Sequence, residues 1–127
     1  MSDNEKKDYC LSMANTILQT LFWSIDIPVF LSWGVSERKA CFYKDMPSLM
    51  LKVNGRIHKG QVIVSYDEGR DVYNVYLLKN NVQIQSFECI YADQLGIFID
   101  SKIEKPENQN DEEYHAMAKA DFVRLCL

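Results

Sequence analysis

Residues 49–90, LMLKVNGRIHKGQVIVSYDEGRDVYNVYLLKNNVQIQSFECI, decide the fold. Apolar and polar residues alternate in short runs, which is typical of strands with one buried face. Turn-forming residues separate the runs at Asn54-Gly55, at residues 67–70 and at Asn80-Asn81. Because Asn-Gly adopts positive φ readily, Asn54-Gly55 predicts a two-residue hairpin. The stretch therefore predicts an antiparallel meander with strands at residues 49–53, 61–66, 71–78 and 82–90.

The last of these strands changes phase in its middle. Val82 and Ile84 share one face of an ideal strand. Phe87 and Cys89 share the other face. A bulge inserts one extra residue and would reconcile the two halves. We therefore expect a bulge or twist near Gln85-Ser86.

The residues before the meander predict a helix and one further strand. Apolar residues recur at helical spacing from about Asp8 to Trp23. Pro28 opposes continuation because it lacks an amide hydrogen and disfavours helical backbone at the preceding residue. Residues 29–33, VFLSW, are apolar, β-branched and aromatic, so we expect a buried strand there. Residues 34–47 are expected to form an excursion, that is, a connecting segment outside the regular elements, and the sequence does not define its conformation.

Two helices are predicted after the meander. The first opens at residues 91–93, and Gly96 weakens it by about 1 kcal/mol relative to alanine. Its apolar positions are Leu95, Phe98, Ile99 and Ile103. Residues 105–110 are a polar linker, and Asn110 with Glu113 resembles a capping box. The apolar positions of the last helix are Tyr114, Met117, Ala118, Phe122 and Leu125.

Length and composition favour one domain. A chain of 127 residues is of ordinary size for one core, and two cores would each be near the lower limit of independent folding. Apolar residues make up 47% and charged residues 25%, as in globular proteins. We predict one α+β domain over residues 1–127, in which an N-terminal helix and C-terminal helices pack on one face of a four- to five-stranded antiparallel meander. Residues 1–7 are expected to be flexible.

Charge and cysteine placement restrict compartment and partners. A net charge of -4 provides no general cationic field for nucleic acid or an anionic membrane, so neither is an expected partner. The cysteines Cys10, Cys41, Cys89 and Cys126 lack C-x-x-C spacing and are interpreted as scattered buried thiols. No export signal or stretch of membrane-spanning length is visible. We therefore expect a cytoplasmic protein.

No motif marks a catalytic, cofactor-binding or metal-binding residue, and no cofactor is predicted. Asp67, Glu68 and Asp71 could offer oxygen ligands to Ca²⁺ or Mg²⁺, but a solvated turn explains them better. His58 and His115 have no partner at a ligand spacing, and His58 is expected at the surface.

Two groups of residues are candidates for binding surfaces. Arg56, His58 and Lys59 could form a basic strip with Lys52, although a solvated sheet face explains them equally well. Aromatic residues crowd the junction of the first helix and first strand, either as core or as an exposed partner-binding patch. They are Phe22, Trp23, Phe30 and Trp33, and the exposure of the two tryptophans separates these alternatives.

Four stretches resemble small proteins of gut bacteria and their mobile elements that carry no assigned activity. They are residues 15–18 (NTIL), 32–34 (SWG), 71–76 (DVYNVY) and 91–95 (YADQL). These motifs are structural in character. The resemblance implies a bacterial, cytoplasmic origin and an accessory gene, and it brings no site residues.

The leading functional hypothesis is a non-enzymatic binding or accessory protein with a protein partner, or one that self-associates through a sheet edge or the aromatic junction. One alternative is a metal-dependent hydrolase that uses Asp67, Asp71 or His58. Another is a nucleic-acid-binding module that uses the strip from Arg56 to Lys59.

Overall fold

Five strands form one antiparallel sheet in the computed structural model, which describes residues 2–104. Neighbours in sequence are neighbours in the sheet, so the sheet is a meander. The strands are β1 (Glu37–Tyr43), β2 (Met46–Asn54), β3 (Lys59–Asp67), β4 (Val72–Lys79) and β5 (Val82–Ile90). The helices are α1 (Asp3–Ser24), α2 (Ile27–Ser32) and α3 (Leu95–Ile103), the last preceded by a 3-10 turn at Ala92–Gln94. The predicted α+β class and meander are confirmed.

One face of the sheet, called here the inner face, packs against the helices. The register aligns Leu51 with Val62, and Val62 with Leu77, so the strand period of two gathers their side chains on this face. All three are fully or almost fully buried. The helices contribute apolar residues to the same cluster, among them Ala14, Ile17, Leu21, Leu95, Ile99 and Ile103.

The hairpin between β2 and β3 is present, but its predicted two-residue turn is wrong. Asn54 pairs with Lys59, which leaves a loop at residues 55–58. The loop binds the end of α3, since the amide of Ile57 donates to the carbonyl of Ile103 at 2.9 Å. A Cβ at Gly55 would lie 2.1 Å from that carbonyl oxygen. Glycine therefore serves close packing here, which local turn propensity does not reveal.

The strand predicted over residues 29–33 is also wrong, because α2 covers most of this stretch. Pro28 lies in the first helical turn, where an amide hydrogen has no partner within the helix. Phe30 and Trp33 are three positions apart, so both reach the core from one side of the chain. A short apolar run fits a buried helix as well as a strand.

The additional strand is β1, which lies in the stretch predicted only as an excursion. Lys44 and Asp45 form the turn into β2 with φ of 52° and 64°. The turn at Asn80-Asn81 uses the same left-handed conformation, with φ of 54° and 65°. Asparagine signals this conformation in a sequence, whereas a Lys-Asp pair does so weakly.

The irregularity predicted in β5 is present and is double. Register shifts lie on both sides of Gln85-Ser86, and Cys89 has a φ of 62° within the second. The shifts do not bring every apolar residue inward. Val82 and Ile84 are exposed, whereas Ile90 is buried.

The N-terminal helix begins earlier than predicted. α1 begins at Asp3 because the side chain of Ser2 accepts a hydrogen bond from the amide of Glu5, so most of residues 1–7 is helical. The helix predicted after the meander is confirmed as α3. The predicted linker at residues 105–110 and the last helix lie outside the described residues. Within residues 2–104, no helix combines the length and apolar character needed to cross a membrane.

Candidate protein-binding surface

The four aromatic residues near the α1–α2 junction divide between core and surface. Trp33 is fully buried, and the ring of Phe30 lies 5.2 Å from it between centroids. Phe22 packs edge-on against Phe30 at 4.9 Å and is partly exposed. Trp23 is 89% exposed. Trp33 and Phe30 are therefore core residues, whereas Trp23 lies at the surface.

Trp23 borders a groove of about 310 Å³ at the end of α1, which Ala92 and Asp93 line from the other side. A long-range contact forms this groove. The hydroxyl oxygen of Ser24 accepts a hydrogen bond of 2.9 Å from the amide of Gly96. This bond holds the last turn of α1 against the first turn of α3, and so places the indole of Trp23 beside the 3-10 turn.

A second groove, of about 400 Å³, lies on the α3 side of the 3-10 turn. Its lining includes Tyr91 and Ile97, and both side chains are exposed. Since residues 91–94 contribute to both grooves, the two lie next to each other. We call Trp23, Tyr91, Ile97 and the 3-10 turn between them the tryptophan surface.

The tryptophan surface has a negative electrostatic character. The C-terminus of α1 carries the negative end of the helix dipole, and no basic residue lies in its last turn. Asp93 is exposed on the rim of the groove. A cation is therefore favoured beside the face of Trp23, where the aromatic quadrupole adds to the attraction.

The edges of the sheet are the other surface predicted for self-association. β5 is an edge strand with exposed Val82 and Ile84. Its two register shifts interrupt the row of backbone groups that a second copy would need for pairing. This geometry favours the tryptophan surface over the β5 edge as a binding site.

The acidic turn between β3 and β4 has its carboxylates in internal contacts. Asp67 accepts from the guanidinium Nε of Arg70 at 3.0 Å. Asp71 accepts from the hydroxyl of Tyr66 at 2.7 Å, and this bond raises the pKa of Tyr66 to about 12. Glu68 accepts from the hydroxyl of Tyr9 at 3.2 Å. Within the described residues, no three His, Cys, Asp or Glu side chains converge as metal ligands.

The residues of the predicted basic strip are not gathered on a free surface. Arg56 contacts the buried carboxylate of Glu104, with Nε 3.0 Å from Oε1. The expectation that His58 lies at the surface is wrong, because its ring is buried beside the carbonyl of Gln61 at 3.2 Å. The contact of Arg56 with Glu104 and the burial of His58 both follow from packing of the β2–β3 loop on the end of α3. Lys59 is exposed. The hydrolase and nucleic-acid hypotheses stay predictions from the sequence.

The cysteines of residues 2–104 are free thiols in three environments. Cys10 is buried and Cys41 is half-buried. Burial and, next, the electrostatic interaction with Cys10 raise the pKa of Cys41. The interpretation as a buried thiol is wrong for Cys89, which is exposed in the second bulge of β5, with Nη1 of Arg70 3.2 Å from its sulfur.

Comparison of the chain with protein-family models, with curated proteins and with solved structures gives no match in any of the three. The candidate surface is therefore identified by its geometry. The sequence contains a signal for the exposure of Trp23. The buried positions of α1 include Ile17 and Leu21, and a residue two positions after Leu21 points to the opposite side of a helix. Helical spacing could thus have assigned Trp23 to the surface.

Proposed function

We propose that this protein is a non-enzymatic binding protein whose tryptophan surface holds a segment of another protein. The observation that carries the proposal is the exposure of Trp23 beside a groove. Tryptophan is enriched among the residues that dominate binding energies at protein interfaces. The exposed Tyr91 and Ile97 extend the apolar area around it.

The chemistry of the surface defines the bound segment. A groove of about 310 Å³ is near the lower end of ligand pockets, so it suits a small group such as an apolar side chain rather than a large cofactor. Asp93 and the C-terminal carbonyls of α1 favour a Lys or Arg next to that side chain. We therefore propose a partner segment that presents an apolar residue beside a basic one.

Selection from a library of random peptides tests this proposal, because the library samples many segments and requires no purified partner. The full chain is immobilised, and peptides that bind the Trp23→Ala variant equally well are removed. Leu11→Ala is the matched control, because Leu11 is an exposed apolar residue elsewhere on α1. We expect enriched peptides that pair an apolar residue with Lys or Arg, bind Leu11→Ala normally and bind Trp23→Ala at least about tenfold more weakly.

Two outcomes would contradict the proposal. Absence of any peptide that distinguishes the wild-type chain from Trp23→Ala would remove the tryptophan surface as a binding site. Concentration-dependent dimerisation that Trp23→Ala abolishes, measured by sedimentation velocity, would instead assign the surface to a second copy of the chain.

A further inference from the structure

The face of the sheet opposite to the helices, called the outer face, is buried. Its apolar cluster centres on Ile63, Tyr76 and Leu78, which are 6%, 2% and 6% exposed. The half-buried side chains packed against this cluster are Tyr43, Met46 and Met50. Within residues 2–104, every member of the cluster belongs to a strand.

A row of short polar side chains on the same face is buried too. Ser48 pairs with Ser65, and Ser65 pairs with Asn74. Both serines have no exposed surface, and their hydroxyl oxygens lie 2.6 Å apart. Ser48 donates to the carbonyl of Met46, so Ser65 is the donor between the two hydroxyls. A serine is too short to be shielded fully by neighbours on a flat sheet, so this row requires a cover.

The helices of the described residues do not supply that cover. The buried aliphatic residues of α1 and α3 join the cluster of the inner face, and so do Phe30 and Trp33 from α2 and its C-terminal end. None of these helices contributes to the outer cluster. The cover must therefore come from the remaining chain or from another molecule.

We infer that residues 111–127 of the same chain cover the outer face. The chain continues for 23 residues after Glu104. Spacing in this segment predicts an amphipathic helix. Its apolar positions are Tyr114, Met117, Ala118, Phe122 and Leu125. Such a stripe matches a sheet face whose own centre is apolar. This surface is separate from the tryptophan surface, so the inference goes beyond the proposed function.

The position where the described chain ends suits this arrangement. The carbonyl of Ile103 accepts from the amides of Ile57 and His58, and the carboxylate of Glu104 binds Arg56. These contacts fix residue 104 at the end of the sheet, beside the β2–β3 loop. Residues 105–110 can span up to about 20 Å, which is enough to pass from one face to the other.

The length and the charge of residues 111–127 also support this segment as the cover of the outer face. A helix over residues 111–127 would be about 25 Å long, and five strands span about 19 Å from first to last. Lys39 and Lys52 share the register positions of the outer face, and Lys44 lies over the ring of Tyr76 at 4.6 Å. The segment carries four carboxylates and two cations, so its net charge is negative and complements these lysines. The carboxylates are Asp111, Glu112, Glu113 and Asp121, and the cations are Lys119 and Arg124.

Hydroxyl-radical footprinting read by mass spectrometry tests the inference in the full chain. Tyr76 reports on the outer face, Trp33 on the inner core and Trp23 on open surface. We expect oxidation of Trp23 but protection of Tyr76 and Trp33 in the wild type. Phe122→Asp should raise the oxidation of Tyr76 several-fold while Trp33 stays protected. Val123→Asp is the matched control, because helical spacing places residue 123 away from the apolar stripe, and it should leave Tyr76 protected.

Three results would overturn the inference. They are ready oxidation of Tyr76 in the wild type, protection that Phe122→Asp leaves unchanged, and protection that is lost on dilution. The last would assign the cover to a second copy. If Phe122→Asp unfolds the chain, so that Trp33 is oxidised as well, a second measurement decides.

Zero-length carbodiimide cross-linking of the wild-type chain is that second measurement. It joins a lysine to a carboxylate only at contact distance. We expect intramolecular links from Lys44 or Lys52 to the carboxylates of residues 111–121. Absence of these links, or links found only between two copies, would contradict the inference.

Discussion

The indole Nε1 of Trp33 donates a hydrogen bond of 2.8 Å to Oδ1 of Asp100. Both side chains are buried, and 67 positions of sequence separate them. The bond joins the end of α2 to α3. A buried carboxylate is costly unless donors surround it, so this contact lets Asp100 lie within the helical layer.

Replacing Trp33 by phenylalanine removes the donor and leaves a smaller ring in the core. We expect Trp33→Phe to lower the free energy of unfolding by about 2–4 kcal/mol, because a buried acceptor loses a partner and packing is lost. Trp23→Phe is the matched control and should change stability by less than about 0.5 kcal/mol, since Trp23 is exposed. Urea unfolding measures both. Equal midpoints for the two variants would contradict this role of the bond.

Gly96 is expected to stabilise the fold, although helix propensity alone disfavours glycine in α3. Alanine in α3 would gain about 1 kcal/mol from propensity alone. A Cβ at this position would lie 2.3 Å from the hydroxyl oxygen of Ser24 and 3.1 Å from the carbonyl oxygen of Leu21. We expect Gly96→Ala to destabilise the fold by about 1–3 kcal/mol, because α1 and α3 must move apart.

Thermal unfolding of Gly96→Ala checks this expectation. Ser101→Ala in the same helix is the control, because Ser101 is exposed and its replacement should be nearly neutral. A Gly96→Ala variant more stable than the wild type would show that helix propensity outweighs the contact with α1.

The parts of the fold that the sequence predicts are those with local signals. Alternating runs and turn residues suffice for the four strands from β2 to β5, and helical spacing suffices for α1 and α3. β1 and α2 lack such signals. The short, largely apolar run at residues 29–33 fits either element, and the Lys44-Asp45 turn lacks the usual Asn or Gly.

The candidate site likewise has one part that the local sequence predicts and one part that it does not. The exposure of Trp23 follows from helical spacing along α1. Its groove does not, because the groove depends on the bond between Ser24 and Gly96, which are 72 positions apart. The burial of His58 likewise depends on contacts between the β2–β3 loop and α3. Tertiary packing of this kind leaves no pattern in the local sequence.

The turn between β1 and β2 offers a stabilising substitution. Asp45 has a φ of 64°, a region that glycine occupies without steric cost. We expect Asp45→Gly to raise the free energy of unfolding by up to about 1 kcal/mol, since relief of steric cost exceeds the added entropy of the unfolded chain. Asp45→Ala removes the same carboxylate but keeps the steric cost, and should not stabilise. Equal stabilisation of both variants, measured by urea unfolding, would assign the effect to charge instead.

Ionisation of Tyr66 makes the stability of the fold depend on pH in the alkaline range. Its hydroxyl donates to Asp71, which raises its pKa to about 12, whereas an unfolded tyrosine ionises near pH 10. Folding thus favours the neutral phenol. The resulting stability is fully present below about pH 10 and is lost as the pH rises through about 12. Titration of phenolate absorbance in the folded protein, compared between wild type and Tyr66→Phe, should identify one late step as Tyr66.

Asp71→Asn should move that late step toward pH 10, because the carboxylate that opposes ionisation of Tyr66 is gone. Asparagine suits this position, since residue 71 has a φ of 53° and asparagine tolerates the left-handed region. Asp93→Asn is the matched control, because it removes an exposed carboxylate elsewhere and should leave the late step in place. If the step keeps its position in Asp71→Asn, burial of the phenol rather than the hydrogen bond would be the cause of the raised pKa.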